Sequence, residues 1–182
     1  PLTQIIKNQY AHPLFYQSRY ALGSYPEGNP IYDLFIHPVD NLLFLFGPAK
    51  IAHIRKVKNK NSIVFIIYLL HDSCVEGILE LSTNHNWNDP IDTLRLEMQS
   101  EEVFINYPNF ISTTSKEKKI FGLSINKALR QPVTKRIIYQ NKGILNTLEN
   151  NVLYEAGYFQ EVKAFVSLVE DAIKKRNVNH SN

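Results

Sequence analysis

Three residues have types and spacing that could support catalysis: Asp33, His37 and Asp40. Separations of four and then three residues place them on one face of a helix. A carboxylate one turn before a histidine can orient the imidazole ring and stabilise its protonated form, which is the support that a general base needs. The same pattern also fits a helix whose aspartate caps the first turn and whose histidine is only half-buried. Residue types and spacing leave both interpretations open.

A metal site of one histidine and two carboxylates is a third interpretation, and it would make the protein a metal-dependent hydrolase. No second cluster of histidines supports it, because His53, His71 and His85 fall on separate predicted elements. The single cysteine, Cys74, can form neither an internal disulfide nor a cysteine-based zinc site. We expect it to be a small buried hydrophobic residue.

The helix carrying the candidate residues is the best-delimited element in the sequence. Asn29 is a favourable N-cap, Pro30 takes the first helical position, and Gly47 closes the other end. Pro38 lies inside the segment, so we expect a kink just after His37. Apolar residues supply a wide face for packing: Ile31, Leu34, Phe35, Val39, Leu42, Leu43 and Phe46.

The middle of the chain is rich in strand patterns, and helical patterns return near its end. Short connections between the predicted strands can join only antiparallel neighbours. The sequence therefore predicts an α+β two-layer sandwich, with a mostly antiparallel open sheet and helices on one face. The predicted strands are residues 14–22, 51–57, 63–70, 75–81, 93–98 and 102–107, and the predicted later helices are residues 143–150 and 158–175.

The strand at residues 63–70 is continuously apolar, whereas a strand covered on one face should alternate. Both of its faces should therefore be covered. Either a helix wraps over the outer face or a second subunit docks there, and the size of the apolar area favours the subunit. We expect a homo-oligomer formed through this face of the sheet.

Composition and charge exclude several classes of protein. The 20 basic and 17 acidic residues nearly balance, and the lysines are scattered, so we expect no nucleic-acid partner. No apolar run is long enough to span a membrane and no signal peptide is visible, which predicts a cytoplasmic protein without a membrane partner. The length suits a single domain over residues 1–182. Because the chain starts at Pro1 and its only methionine is Met98, we expect it to be part of a longer protein.

The segment from Gly28 to Asp40, continuing to Gly47, resembles a signature of the glucose-fructose oxidoreductase/inositol dehydrogenase/MocA-like family. In that family a glycine-rich turn leads into a helix carrying Asp-x-x-x-His, often continued as Pro-x-Asp and ending in Leu-x-Gly. Residues 75–82 are similar to the family's strand with a central glycine, residues 93–97 to the strand after it, and residues 158–165 to its closing helix. The family's usual paired glycine before the helix is Gly28-Asn29 here.

The resemblance implies the C-terminal domain of an NAD(P)-dependent dehydrogenase, with the sheet fold of the glyceraldehyde-3-phosphate dehydrogenase C-terminal domain. His37 would accept the proton of a sugar or polyol hydroxyl while hydride leaves the same carbon for the nicotinamide. Asp33 would orient His37 or contact the carbohydrate-like substrate, and Asp40 would be structural. The sheet would form part of the substrate site and the subunit interface.

The resemblance also implies a partner domain, because family members begin with a Rossmann domain that binds NAD or NADP. This sequence contains neither its Gly-x-Gly-x-x-Gly fingerprint nor the family's Glu-Lys-Pro motif. We therefore expect the chain alone to bind no cofactor and to catalyse no turnover. The alternative is a non-catalytic ligand-binding or assembly module that keeps the same fold.

Overall fold

The structure is a computed structural model that describes residues 2–116, 119–120, 123–124, 134–141, 165–167 and 169. The chain divides into two compact units, Leu2–Gln140 and a second formed by Pro1 with Asn141–Asn182. In the second unit, residues 165–167 and 169 are helical, as predicted within 158–175. The predicted helix at residues 143–150 lies outside the described residues.

The first unit contains three helices and ten strands among its described residues. The sequence did not predict α1 or any of β7 to β10, and it predicted α2 and α3 as one helix. In chain order the elements are α1 (Leu2–Gln9), β1 (Phe15–Ala21), α2 (Pro30–Asp33), α3 (Ile36–Phe46), β2 (Ala49–Lys58), β3 (Ile63–His71), β4 (Glu76–Ser82), β5 (Ile91–Glu97), β6 (Glu101–Asn106), β7 (Phe110–Ser115), β8 (Lys119–Ile120), β9 (Leu123–Ser124) and β10 (Lys135–Gln140).

Eight strands form one open sheet in the order β10-β7-β6-β5-β1-β4-β3-β2, and β8 pairs with β9 separately. Strands β2, β3 and β4 are joined by short turns and pair antiparallel, as do β5, β6 and β7. In the large sheet the parallel pair is β1 with β4, which brings the first strand into the middle of the sheet. The predicted fold class, a mostly antiparallel open sheet in an α+β sandwich, is confirmed.

One face of the sheet is covered by α1 and α3, and the core lies between these two layers. Side chains from alternate strand positions point into it, as the pleat requires. The helical apolar face is partly as predicted, but Ile31 and Leu43 are exposed. The core residues contributed by the helices are Leu2, Ile6, Phe35, Leu42, Leu45 and Phe46, and the central sheet residues are Tyr16, Ile67, Leu69, Leu79, Leu81, Leu94, Leu96, Val103, Ile105 and Ile111.

The outer face of β3 is apolar and lies open in the described chain. Ile67 and Leu69 point into the core, whereas Ile66 and Leu70 are 42% and 37% exposed. The continuous apolar pattern therefore has one covered and one uncovered side. None of the described helices is long and apolar enough to cross a membrane.

Cys74 is exposed, so the expectation that it would be buried is wrong. It lies in the turn between β3 and β4 and has a positive φ of 64°. In a tight turn the left-handed conformation turns the side chain away from the pleated sheet, and the apolar character of the residue does not decide its position. The buried residue of this turn is its neighbour Val75.

Candidate active site

The segment predicted to be one helix is broken between Asp33 and Ile36. In a continuous helix, residue 38 would donate its N–H to the carbonyl of Leu34, but Pro38 has no N–H and its ring would clash with that carbonyl. The Leu34 carbonyl instead accepts from the His37 N–H at 3.4 Å. Pro38 becomes the third residue of α3, where a missing N–H costs nothing. The expected kink after His37 is therefore wrong, because the break comes one turn earlier.

A reciprocal cap fixes the start of α2. The Asn29 side chain accepts from the Ile31 N–H at 3.0 Å, and the Asp33 carboxylate accepts from the Asn29 N–H at 2.8 Å. This carboxylate lies so close to Gly28 that a Cβ at that position would collide with it. The glycine-rich turn therefore has a physical reason here, since it gives the Asp33 side chain room to fold back over the backbone.

Asp33 and His37 lie on separate helices, and the expectation that both lie on one helical face is wrong. No ion pair or hydrogen bond joins them in the described structure, and the Asp33 carboxylate is bonded to Asn29 instead. His37 and Asp40 share α3. All three side chains are exposed, so a ligand can approach them from solvent.

Two cavities among the described residues have other linings. One lies between the loop before α2 and the β2–β3 turn. The other lies between the end of α1 and strands β6, β7 and β10. Asp33 and His37 line neither cavity, although Asn29, Pro30 and Ile31 of the capped turn that holds Asp33 line the first.

A second histidine, His71, is buried and fully hydrogen-bonded. Its Nδ1 lies 2.7 Å from the Gly47 carbonyl, which can only accept, so Nδ1 carries the proton. Its Nε2 lies 2.9 Å from the Tyr16 hydroxyl. Burial raises the pKa of Tyr16, which keeps this hydroxyl protonated as the donor. The pair fastens the end of α3 to the sheet, where the Phe46 ring stacks on Tyr16 with centroids 5.0 Å apart.

A less complete polar cluster lies at the other end of the helix-covered face. Burial raises the pKa of Asp92 to about 7 and also raises the pKa of Tyr107, with a smaller contribution from Asp92. The Asn41 side chain of α3 lies close enough to lower the tyrosine pKa slightly, but it does not reach hydrogen-bond geometry. Among the described residues, the Tyr107 hydroxyl is a buried group without a partner.

The sequence analysis missed these buried polar residues, although strand parity could have found them. His71 falls in the same alternation as Ile67 and Leu69, which point inward. Asp92 likewise precedes Leu94 and Leu96 at inward positions of β5. An ionisable residue on the inward side of an alternating strand is a candidate for a hydrogen-bonded or shifted group.

The described residues do not support the metal interpretation. They contain no group of three or more histidine, cysteine, aspartate or glutamate side chains placed to hold a metal ion. The break before α3 also separates Asp33 from His37 and Asp40, which the three-ligand arrangement required on one face.

No family model matches the sequence, and no curated protein matches it. Solved structures do resemble the fold. A dehydrogenase (MviM) from Clostridium difficile aligns with a TM-score of 0.66 and 13% identity over 94% of this chain and 50% of that one. UDP-N-acetylglucosamine 3-dehydrogenase GnnA from Acidithiobacillus ferrooxidans aligns with a TM-score of 0.53 and 16% identity, over 78% of this chain and 45% of that one. Levoglucosan dehydrogenase, in complex with NADH and L-sorbose, aligns with a TM-score of 0.53 and 11% identity, over 77% of this chain and 43% of that one.

The chain has the fold of these dehydrogenases. Its resemblance to the C-terminal domain of the glucose-fructose oxidoreductase/inositol dehydrogenase/MocA-like family is thereby confirmed at the level of fold. The chain spans only about half the length of the structures it matches, between 43% and 50%. At these identities the likeness extends to the fold and not to substrate or activity.

Proposed function

We propose that this chain is the substrate-binding domain of an NAD(P)-dependent oxidoreductase that acts on a hydroxyl or carbonyl of a sugar or polyol. One observation carries the proposal: a dehydrogenase fold presents an exposed histidine, His37, directly after a capped turn that holds the carboxylate of Asp33. An imidazole open to solvent and without a bond to another side chain is free to exchange a proton with a bound alcohol.

In the proposed reaction His37 accepts the hydroxyl proton while the carbon gives up its hydride, and the reverse direction returns both. The hydride chemistry belongs to NAD or NADP. The described residues do not fit that cofactor, since the sequence has no Gly-x-Gly-x-x-Gly fingerprint for its pyrophosphate. A preceding Rossmann domain of a longer cytoplasmic protein would hold it, and its docking would also exclude water from the open surface around His37.

The geometry favours substrate contact as the role of Asp33. One carboxylate oxygen already accepts the Asn29 N–H, and no hydrogen bond runs to His37. The other oxygen can therefore accept a hydrogen bond from a sugar hydroxyl. Asp33 would thus fix the position of the substrate, and His37 would exchange the proton.

The test is hydride transfer by the intact protein, measured through nicotinamide absorbance with NAD or NADP and a panel of sugars and polyols. We expect His37→Ala to lower kcat by roughly 10²–10⁴-fold, the usual loss for a general base. The matched control is His12→Ala, which removes another exposed histidine, in the loop between α1 and β1. Unchanged turnover in His37→Ala would contradict this role, and an inactive intact protein would favour the non-catalytic module.

A second copy of this chain is the partner we propose for the outer face of β3. Its exposed Ile66 and Leu70 flank Tyr68, which pairs with Ile78 of β4, so these side chains share one face. The same register places Glu80 opposite Ile66 and Glu76 opposite Leu70, and Arg55 and Lys50 of β2 lie opposite the same two residues on the other side. An apolar patch bordered by both signs of charge suits a symmetric interface, in which the same patch meets itself. Sedimentation should show Ile66→Lys as a smaller species than the native protein, whereas Leu14→Lys, at an exposed position outside the sheet, should sediment like the native protein.

A further inference from the structure

The cavity beside the capped turn is large enough to hold a small molecule. It lies between the loop preceding α2 and the turn that joins β2 to β3, and we call it the hairpin cavity. Its volume is about 410 Å³, within the range of roughly 300–1,000 Å³ that is typical of small-molecule sites. The Ser24 hydroxyl donates to the Asn61 carbonyl at 3.0 Å, which ties the loop to the hairpin across the cavity.

The charged side chains that line the hairpin cavity are cationic. Lys58 and Lys60 both line it, and no acidic side chain belongs to its described lining. Asn29 and Asn59 also line it, and each uses its side-chain carbonyl to accept a backbone N–H, at 3.0 and 2.8 Å. The NH₂ group is therefore what each asparagine can offer a ligand. Two ammonium groups with amide donors are complementary to an anion rich in acceptor oxygens.

The opposite side of the cavity has an aromatic wall. Tyr25 lines it and packs against the Trp87 ring, with centroids 6.0 Å apart. The Trp87 indole N–H donates to the Ser24 carbonyl at 2.6 Å, which holds the indole behind the tyrosine. A ring supported in this way offers a preformed surface for the sugar or base of a ligand.

We propose that the hairpin cavity binds the phosphate or diphosphate group of a phosphorylated ligand, whose organic part lies against Tyr25. This rests on the proposed function and names the substrate class: a phosphorylated or nucleotide-activated sugar. The cavity and the candidate site share the capped turn, because Asn29 lines the cavity while its N–H holds Asp33. One helical turn rises about 5.4 Å, so a sugar attached to the bound phosphate can extend from the cavity towards Asp33.

The test is calorimetric titration of the 182-residue chain with pyrophosphate, uridine diphosphate, glucose 1-phosphate and uncharged glucose. We expect saturable binding of the charged probes and none of glucose. Lys58→Gln/Lys60→Gln should weaken pyrophosphate binding by roughly tenfold or more, since charge-assisted hydrogen bonds are lost. The matched control is Lys50→Gln/Lys56→Gln, which removes the same charge from positions of β2 outside the cavity and should bind like the native chain.

The organic part of the ligand is distinguished by Tyr25→Ala. For a nucleotide-activated sugar, uridine diphosphate binds more tightly than pyrophosphate and Tyr25→Ala removes that advantage. For a sugar phosphate, glucose 1-phosphate binds most tightly and Tyr25→Ala weakens that binding. The proposal is overturned if no charged probe binds saturably, or if both double variants lose binding equally while their unfolding transitions match that of the native chain.

These outcomes are separable from failure of the proposed function. Phosphate binding is measured on this chain without a nicotinamide cofactor, so it can persist even if the intact protein transfers no hydride. The converse result is that the intact protein turns over only uncharged substrates while the chain binds no phosphate saturably. That result would support the proposed function and contradict the role of the hairpin cavity.

Discussion

The two ends of α3 each meet a histidine, and the two side chains have opposite environments. His71, at the C-terminal end, is buried, with a partner for each ring nitrogen at 2.7 and 2.9 Å. His37, in the first turn, is exposed and has no bond to Asp33, the carboxylate that spacing had assigned to it. A histidine with both nitrogens used is suited to hold elements together, whereas one with free nitrogens can exchange protons with a ligand.

The surroundings of these two residues explain the difference. His71 is the last residue of β3, whose alternation carries it into the core, and an unpaired imidazole would be costly there. His37 follows a helix break, so its position depends on the local cap and not on core packing. Core packing therefore sets the position of His71, whereas the local cap sets that of His37, which a ligand can approach from solvent.

The largest effect on stability should come from the buried histidine. His71→Ala leaves the Tyr16 hydroxyl and the Gly47 carbonyl without their partner and opens a cavity, so we expect a loss of roughly 3–5 kcal/mol in the free energy of unfolding. His37→Ala, at an exposed position, should change it by less than about 0.5 kcal/mol. Urea unfolding of both variants at neutral pH measures the two losses of stability.

Tyr16→Phe separates the hydrogen bond from packing at the buried histidine. It keeps the ring that stacks on Phe46 and removes only the hydroxyl, so a loss of roughly 1–2 kcal/mol is expected. Equal losses from His71→Ala and His37→Ala would show that the two environments do not differ as the structure indicates.

Asp92 should make stability depend on pH. Burial raises its pKa in the folded state from 3.8 to about 7. The folded chain thus holds this proton more tightly, and the resulting stability is full below about pH 4 and is lost as the pH rises to about 7. Asp92→Asn cannot ionise, so its stability relative to the native chain should increase over that window by roughly 2–4 kcal/mol and then level off.

The measurement is urea unfolding between pH 4 and pH 8.5, with Asp89→Asn as the control. Asp89 is exposed in the turn before β5, and its removal should leave the pH dependence unchanged. A difference between Asp92→Asn and the native chain that does not vary with pH would mean that Asp92 is solvated in the folded state. Asp92 and Tyr107 would then be accessible to water, like Asp33 and His37, and not shielded from it like His71 and Tyr16.

The sequence predicted most of the elements with strong apolar patterns, although it missed the amphipathic helix α1 and the strands with weak patterns. Strands β3 to β6 and the end of α3 at Gly47 were found because alternation, continuous apolarity and a terminal glycine are strong local signals. In β7, Ser112 and Thr113 are buried, so polarity concealed the inward face. Strand β10 pairs with β7 through a bulge, and no two-residue period survives such an irregularity. The parallel pairing of β1 with β4 depends on contacts distant in sequence.

The candidate residues were found by type and spacing, but their arrangement was not. A period of 3.6 residues assumes an unbroken helix, and the missing N–H of Pro38 breaks it one turn upstream, at Leu34. The hydrogen bond between Asp33 and Asn29 then follows from local backbone geometry. His71 could have been recognised from strand parity, although its partner Tyr16 lies 55 residues away and only the sheet register brings them together.

A smaller loss should follow from crowding the buried pair without removing either member. Gly77 lies opposite Tyr16 in the parallel pairing of β1 with β4, and a Cβ there would be 2.5 Å from three atoms of the tyrosine ring. Gly77→Ala should displace the ring and strain its bond to His71, at a cost of about 1–3 kcal/mol. In a double-mutant cycle, Gly77→Ala should cost less stability in the Tyr16→Ala background than in the native chain. Additive losses of stability would mean that the strain does not arise from the Tyr16 ring.

The smallest effect on stability should come from the cap that holds Asp33. Variants of this cap distinguish a structural role of Asp33 from contact with a substrate. Gly28→Ala places a Cβ against the Asp33 carboxylate and should cost about 1 kcal/mol through loss of the reciprocal cap. Asp33→Asn keeps an oxygen that can accept the Asn29 N–H but removes the charge. If Asp33 contacts substrate, Asp33→Asn should raise KM in the intact protein while stability stays near that of the native protein, and Gly28→Ala should impair both. A KM that rises only in variants that also lose stability would show that Asp33 acts as a cap and does not contact substrate.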